Sequence, residues 1–270
     1  MIIGRKTRGK TRPQRLHALD AWVCEAEAEL LKRQGGPWDE AAFVDVGYGE
    51  HPWTTLESAA MFRGLNPRLY VLGVEIEPHR VESAQEHADA QTAFELGGFE
   101  LDALGPRPAR LIRALNVLRQ YRPQQVPEVH RLLGQRLLEG GLLLEGTCDK
   151  VGSVMVVHLL RRRQEGLHRE AMLFYTDCSQ GFAPIMFRDR LPRDLRRRVV
   201  KGEPIHDFFQ TWMGLWSQAR REAGELSAKE GFVAAAAALA QADVGVAQTP
   251  QWWQRGYVIW APEGGVPKAE

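Results

Sequence analysis

Apolar positions recur along the chain first with helical and then with strand spacing. From Leu16 to Arg33, residues Leu16, Leu19, Trp22, Val23, Ala26, Leu30 and Leu31 fall every three or four positions, which predicts one helix stopped by Gly35, Gly36 and Pro37. Ala42–Val46 is a short apolar run ending in a glycine turn at Gly47 and Gly49. Thr54-Thr55-Leu56-Glu57 then reads as a capping box that opens a helix to about Arg63. Leu69–Ile76 predicts a second strand, broken by Pro78, with a polar helix over His79–Thr92. A third strand falls around Phe94–Leu101, weakened by Gly97-Gly98, and a fourth within Ala109–Leu118. Val126–Glu139 predicts an amphipathic helix capped by Gly140-Gly141, and Leu142–Thr147 a fifth strand.

Strands that alternate with helices predict a mostly parallel sheet covered on both faces, because parallel neighbours need crossovers of a dozen residues or more. Ligands of such a sheet bind at the carboxyl ends of its strands. After Asp149 the pattern changes. Val154–Leu160 and Ala171–Tyr175 fit a hairpin, although the first fits a helix equally well. Ile205–Ala223 and Ala228–Ala242 predict helices and Tyr257–Trp260 a last strand. The expected division is a basic arm and helix over residues 1–36, a ligand-binding core over 37–150, and an elaboration over 151–270 that completes the fold and helps form an acceptor pocket.

With 270 residues, 44% of them hydrophobic, the chain can bury a core, which excludes collagenous and wholly disordered classes. The longest apolar run, Phe232–Ala240, is far short of the roughly 20 residues that cross a bilayer, so no membrane partner is expected. The first sixteen residues are basic without a following apolar stretch or cleavage site, so no secretory signal is predicted and the expected location is cytoplasmic. Cys24, Cys148 and Cys178 lack CxxC spacing, and His79, His87 and His130 lack metal-ligand spacing, so neither a disulfide framework nor a metal is expected.

The 35 Lys and Arg against 34 Asp and Glu leave a formal charge of +1, so any attraction to a polyanion must be local. Two segments concentrate it. Residues 4–15 carry six basic residues and no acid, and residues 188–201 carry Arg188, Arg190, Arg193, Arg196, Arg197, Arg198 and Lys201. Such asymmetry fits a phosphate-backbone footprint and makes RNA a candidate partner. Solvated arginine-rich faces are the competing reading.

The chemistry centres on Asp45-Val46-Gly47-Tyr48-Gly49 and on Gly73-Val74-Glu75-Ile76-Glu77-Pro78. Gly47 and Gly49 let backbone approach a ligand, and a carboxylate at Glu75, 28 residues after Gly47, can accept hydrogen bonds from two ribose hydroxyls. Pro52 stands where GxGxxG requires its third glycine, which disfavours NAD, and no GxxxxGK[ST] loop occurs. The first segment resembles the DxGxG motif of class I S-adenosylmethionine-dependent methyltransferases. The resemblance extends over residues 42–147 through the GVEIEP segment, Arg113-Ala114-Leu115-Asn116-Val117-Leu118 and the glycine-containing passage Leu138–Thr147. It implies a Rossmann-like α/β fold with S-adenosyl-L-methionine as cofactor. Asp45 would orient the methionine amino group, Gly47, Tyr48 and Gly49 would line that end, Glu75 would hold the ribose, Ile76 and Phe99 would flank adenine, and Asn116 would lie close by. The chain departs from the family at Glu50-His51-Pro52, where many members carry a further glycine at the position of His51.

Methyl transfer is an in-line displacement for which positioning supplies much of the acceleration, so no strong catalytic motif is required. Asn116, Arg119 and Tyr121 follow the fourth strand and are candidates to meet the acceptor, and His51 is a candidate general base. RNA leads a small molecule or a protein as the expected acceptor. The alternative is a non-catalytic adenosyl-ligand sensor or nucleic-acid-binding protein on a degenerate methyltransferase fold.

Overall fold

The computed structural model describes residues 4, 9–242 and 245–261 of the chain. Residues 5–8 of the basic arm therefore lie outside the described residues. The chain forms two compact units, the first made of residues up to Glu145 with Lys150–Gly152 and Leu160–His168, the second of Gly146–Asp149, Ser153–Leu159 and the residues from Arg169 onward.

The first unit opens with α1 (His17–Ala26) and α2 (Ala28–Lys32). The single helix expected here is broken at Glu27, whose backbone leaves the helical path (φ −117°) and whose carboxylate accepts from both terminal nitrogens of Arg161 at 2.6 and 3.0 Å. There follow β1 (Ala42–Val46), α3 (Trp53–Arg63), β2 (Val71–Glu75), α4 (Pro78–Ala84), β3 (Thr92–Leu96), β4 (Ala109–Leu115), α5 (Val126–Arg136) and β5 (Leu137–Cys148). The strand order is β3-β2-β1-β4-β5, with β1 parallel to β2 and β4, and β2 parallel to β3. This is an α/β fold, and its strand order reverses between β1 and β4, where such sheets open a crevice at their carboxyl ends. Strands β1, β2 and β4 are buried along their whole length, as expected of parallel strands covered on both faces. Val44, Val46, Leu72, Val74 and Ile112 pack there with Val129 and Leu133 of α5.

Several boundaries differ from the sequence expectation. Helix α3 starts at Trp53 behind Pro52 without a side-chain cap, because Thr55 donates to Asp45 (2.7 Å) and Glu57 accepts the backbone N–H of Gln14 (2.9 Å). Helix α4 is shorter than expected, and Thr92 already belongs to β3, held by the Arg63 guanidinium (2.9 Å). Gly140-Gly141 is not a helix cap. The chain passes from Arg136 straight into β5, and a Cβ on Gly141 would lie 2.9 Å from the Leu138 carbonyl oxygen and 3.0 Å from that of Arg110. Glycine is needed there for close backbone approach within the sheet.

The second unit carries the start of β6 (Val154–Arg163) and most of β7 (Gly166–Thr176), which settle the segment between hairpin and helix as strands, followed by α6 (Pro204–Ala223), α7 (Ala228–Gln241), the short α8 (Pro250–Trp253) and β8 (Tyr257–Trp260). Their order is β6-β7-β8, with β7 and β8 antiparallel. The core is aromatic: Phe174 of β7 stacks on Phe208 (5.2 Å) and meets Phe187 and Trp212 edge-on. His158 of β6 is fully buried against Asp194 (3.0 Å), whose other oxygen takes Arg169 (2.7 Å) and so anchors the segment 188–201. No helix among the described residues is long and apolar enough to cross a membrane.

Candidate functional site

Register places the ends of β1 and β2 side by side, with Asp45 opposite Gly73 and Val46 opposite Val74. At Gly47 the chain turns with φ +71° and donates its N–H to the Val74 carbonyl (2.7 Å). A Cβ there would stand 2.8 Å from Val117 Cγ2, so the turn requires glycine on both conformational and steric grounds. Gly49 (φ +93°) aims its N–H at Glu75 Oε2 (3.1 Å). Glu75, 1% exposed, also accepts the Ile76 N–H at Oε1 (2.8 Å) and the Arg80 guanidinium at Oε2 (3.2 Å). The result is a buried, charge-balanced carboxylate facing a glycine turn at the switch point of the sheet.

Asp45, opposite Gly73, lies on the same face of the sheet as Glu75 but is engaged from β4 and α3. Arg113 of β4, fully buried, donates Nε to Asp45 Oδ1 (3.0 Å) and Nη2 to Oδ2 (2.7 Å), while Thr55 adds a hydrogen bond to Oδ2 (2.7 Å). The remaining arm of Arg113 reaches Asp20 of α1 (2.7 Å) and Ser58 of α3 (2.7 Å). Two carboxylates thus share one guanidinium in the interior. Burial pushes the Asp20 carboxyl up to about 6, against the pull of Arg113 and the Ser58 hydroxyl. Burial also opposes the charge on Arg113, but Asp45 and Asp20 together hold it protonated well above its ordinary range.

Above the turn lies a small cleft lined by Gly47, Val74, Glu75, Ile76, Gly97, Gly98, Phe99, Val117 and Tyr121, with Gly4 closing one side. Its free space is about 20 Å³. Phe99 and Tyr121 meet edge-to-face at 5.3 Å. Of the residues singled out from the sequence, the fold therefore brings Gly47, Glu75, Ile76, Phe99 and Tyr121 together around one cleft. Tyr48 packs instead beneath the turn against Phe94 (5.3 Å), where burial and the nearby Glu75 and Asp45 carboxylates push its phenol well above the ordinary range. Asn116 follows β4 in a left-handed conformation (φ +64°), rare for a residue with a side chain. Arg119 is exposed, and His51 stands in solvent stacked on Trp53 (4.1 Å).

Sequence reasoning missed Arg80, Arg113 and Asp20, and it missed Gly9 and Thr11. The Gly9 carbonyl accepts the Glu50 N–H (2.7 Å), and the Thr11 hydroxyl donates to the Tyr48 carbonyl (3.1 Å). Four of the five act on partners distant in sequence, whereas Arg80 lies only five residues beyond Glu75, in no recognised motif. A larger open depression of about 770 Å³ between the end of α6 and the start of α7 is lined by Trp216, Arg220, Arg221 and Ser227, away from any strand end.

Compared with known proteins, the chain matches no family model and no curated protein. Among solved structures it is similar to an S-adenosylmethionine-dependent methyltransferase from Mesorhizobium loti, at 19% identity over 48% of this chain and 55% of that one, with a TM-score of 0.33. It is also similar to the magnesium protoporphyrin IX methyltransferase of Synechocystis, at 19% identity over 49% of this chain and 54% of that one, with a TM-score of 0.36. The CcbJ methyltransferase of Streptomyces caelestis is similar at 17% identity over 61% of this chain and 66% of that one, again with a TM-score of 0.36. The chain spans about half the length of the first two of these proteins.

Proposed function

We propose that the first unit binds S-adenosylmethionine and that the chain is a methyltransferase using it as methyl donor. One observation carries the reading: Glu75, a buried carboxylate at the carboxyl end of β2, faces the positive-φ glycine turn beside an apolar slot of Val74, Ile76 and Phe99. A carboxylate so placed accepts the two hydroxyls of a ribose, and the slot suits a flat purine. The Arg80 guanidinium, 3.2 Å from Glu75 Oε2, orients the carboxylate for that task. In this reading Asp45 acts through the fold, because unlike Glu75 it does not line the cleft, and, held by Arg113 and Thr55, it fixes the end of β1 from which the glycine turn springs. When bound, S-adenosylmethionine supplies an electrophilic methyl group. The chain's own contribution is to hold the acceptor in line with it, and Tyr121 in the cleft and Asn116 at the end of β4 are the residues nearest that task.

Among acceptors we favour RNA over a small molecule or a protein. Support comes from the second unit, where Arg188, Arg196, Arg197 and Lys201 present exposed side chains and Asp194 fixes the segment from within. The deciding experiment is calorimetric titration with S-adenosylmethionine, S-adenosylhomocysteine and NAD in parallel. Binding of the first two without the third is expected. Glu75→Gln, which removes the charge but keeps the shape, is expected to weaken that binding by about 1.5–3 kcal/mol, the range for hydrogen bonds to charged groups. Equal affinity in the variant would place the ribose elsewhere.

A further inference from the structure

The cleft is too small for the ligand its walls suit. An adenosyl compound of drug-like size needs a pocket of about 300 Å³ or more. The free space between Glu75, Ile76, Phe99 and Tyr121 is about 20 Å³, roughly room for one water. The chain's own beginning lies here: Gly4 lines the cleft, and residues 9–11 pack on the glycine turn beside it. Gly9 is buried, and its carbonyl caps the Glu50 N–H (2.7 Å). The Thr11 hydroxyl bonds the Tyr48 carbonyl (3.1 Å), so residues 9–11 lie across the segment Tyr48–Glu50. The approach is close: a Cβ on Gly49 would stand 2.7 Å from Thr11 Oγ1 and 2.8 Å from the Gly9 oxygen. From the other side, a Cβ on Gly9 would stand 2.4 Å from Arg80 Nη2, the guanidinium that pairs with Glu75. The segment thus touches the glycine turn and the partner of the ribose carboxylate at once.

We propose that Gly9–Thr11 is a strap that closes the adenosyl site and that ligand binding displaces it; the proposal rests on the adenosyl reading of the site given above. The strap's hold is of a kind that a ligand can replace, since it consists of hydrogen bonds to backbone groups of the turn rather than of a buried apolar anchor. Its hinge is the next residue stretch: Gln14 adopts φ +60° and donates its N–H to Glu57 (2.9 Å), so the chain is fixed there whether or not residues 9–11 are docked. A site that must open before it binds has its affinity reduced by the fraction of molecules already open.

The test uses the full-length chain and two substitutions. Gly9→Val places a β-branched residue at φ +67° against Arg80, a conformation that only the docked strap demands, so it favours the open state without altering Glu75, the glycine turn or the cleft. Thr11→Ala removes the hydroxyl that holds Tyr48 and is expected to act in the same direction to a smaller extent. S-adenosylhomocysteine is titrated calorimetrically, and trypsin cleavage after Lys10 reports undocking independently of the ligand. For a strap open in a minor fraction of molecules, Gly9→Val binds about tenfold or more tightly than the natural chain and is cut faster without ligand. Added S-adenosylhomocysteine also speeds cleavage of the natural chain. Equal or weaker binding by Gly9→Val, with faster cleavage, would make the segment a wall of the site and overturn the strap while leaving the adenosyl reading intact. Absence of binding by every chain would overturn the adenosyl reading, and the strap with it.

Discussion

Arg113 decides what Asp45 can do. A carboxylate at the end of the first strand invites assignment to a ligand, yet its partner lies 68 residues on, in β4, and a second carboxylate, Asp20, lies 93 residues before that arginine. Removing the guanidinium leaves two buried acids without compensation, and breaking a buried pair in this way costs about 3–5 kcal/mol. Arg113→Met is therefore expected to lower the urea midpoint sharply, and an unchanged midpoint would mean that the cluster is solvated. The same cluster makes stability depend on pH. Asp20 is raised from its ordinary value to about 6, so in the folded chain it takes up a proton that the unfolded chain binds only near pH 4. Between those limits the folded state binds more protons, so this group's contribution is full below about pH 4 and is lost as pH rises through 6. Asp20→Asn keeps a hydrogen-bonding group without the titration, and its unfolding free energy is expected to vary less between pH 4 and 7 than that of the natural chain. Equal slopes would clear Asp20 of any part in the dependence.

At the scale of elements, the strand-to-turn junctions are where sequence and structure agree most closely and where single glycines matter most. The β1 run, the turn at Gly47 and Gly49 and the β2 run were legible because strand, turn residue and following carboxylate are contiguous, and burial on both faces writes a continuous apolar run. The end of α5 was not legible. Leu137 and Leu138 continue the helical spacing of Val126–Leu133, and Gly140-Gly141 imitates a helix stop, so only the pairing of β5 in the sheet reveals that the strand has already begun. The capping box at Thr54 misled for a related reason, since Thr55 and Glu57 are recruited by Asp45 and Gln14 from outside the helix. Buried Arg110 shows the same limit, as it bonds the carbonyls of Leu30 (2.9 Å), Leu31 (2.8 Å) and Arg33 (3.1 Å) and so closes the end of α2 from about 80 residues away. Gly47→Ala is expected to cost about 1–3 kcal/mol, from a positive φ combined with a Cβ pressed against Val117. Gly105→Ala, also at positive φ (+57°) but with nothing within 4 Å, supplies the control, because it carries the backbone strain without the clash. A similar loss in both variants would assign the whole cost to the backbone.

For the molecule as a whole, a nearly neutral chain divides its chemistry between two units. The cleft proposed for the adenosyl ligand belongs to the first, whereas the exposed arginines of residues 188–201 belong to the second. Arg198 is already committed to Glu203 (2.6 Å), which leaves Arg196 and Arg197 as the better tests of a phosphate contact. If they touch an RNA backbone, each contact releases counterions, and the slope of log affinity against log salt falls by about 0.7 for every contact removed from a single strand. The double substitution Arg196→Ala with Arg197→Ala is then expected to flatten the salt dependence of binding to a single-stranded RNA by roughly 1.4. It is expected to leave S-adenosylhomocysteine affinity unchanged, since neither residue belongs to the unit that carries the cleft. Measuring both quantities on one preparation separates the two functions. A flattened slope with intact ligand binding assigns phosphate recognition to the second unit, whereas an unchanged slope removes RNA from the candidate acceptors that contact this segment and leaves the adenosyl site to be matched with a neutral or smaller acceptor.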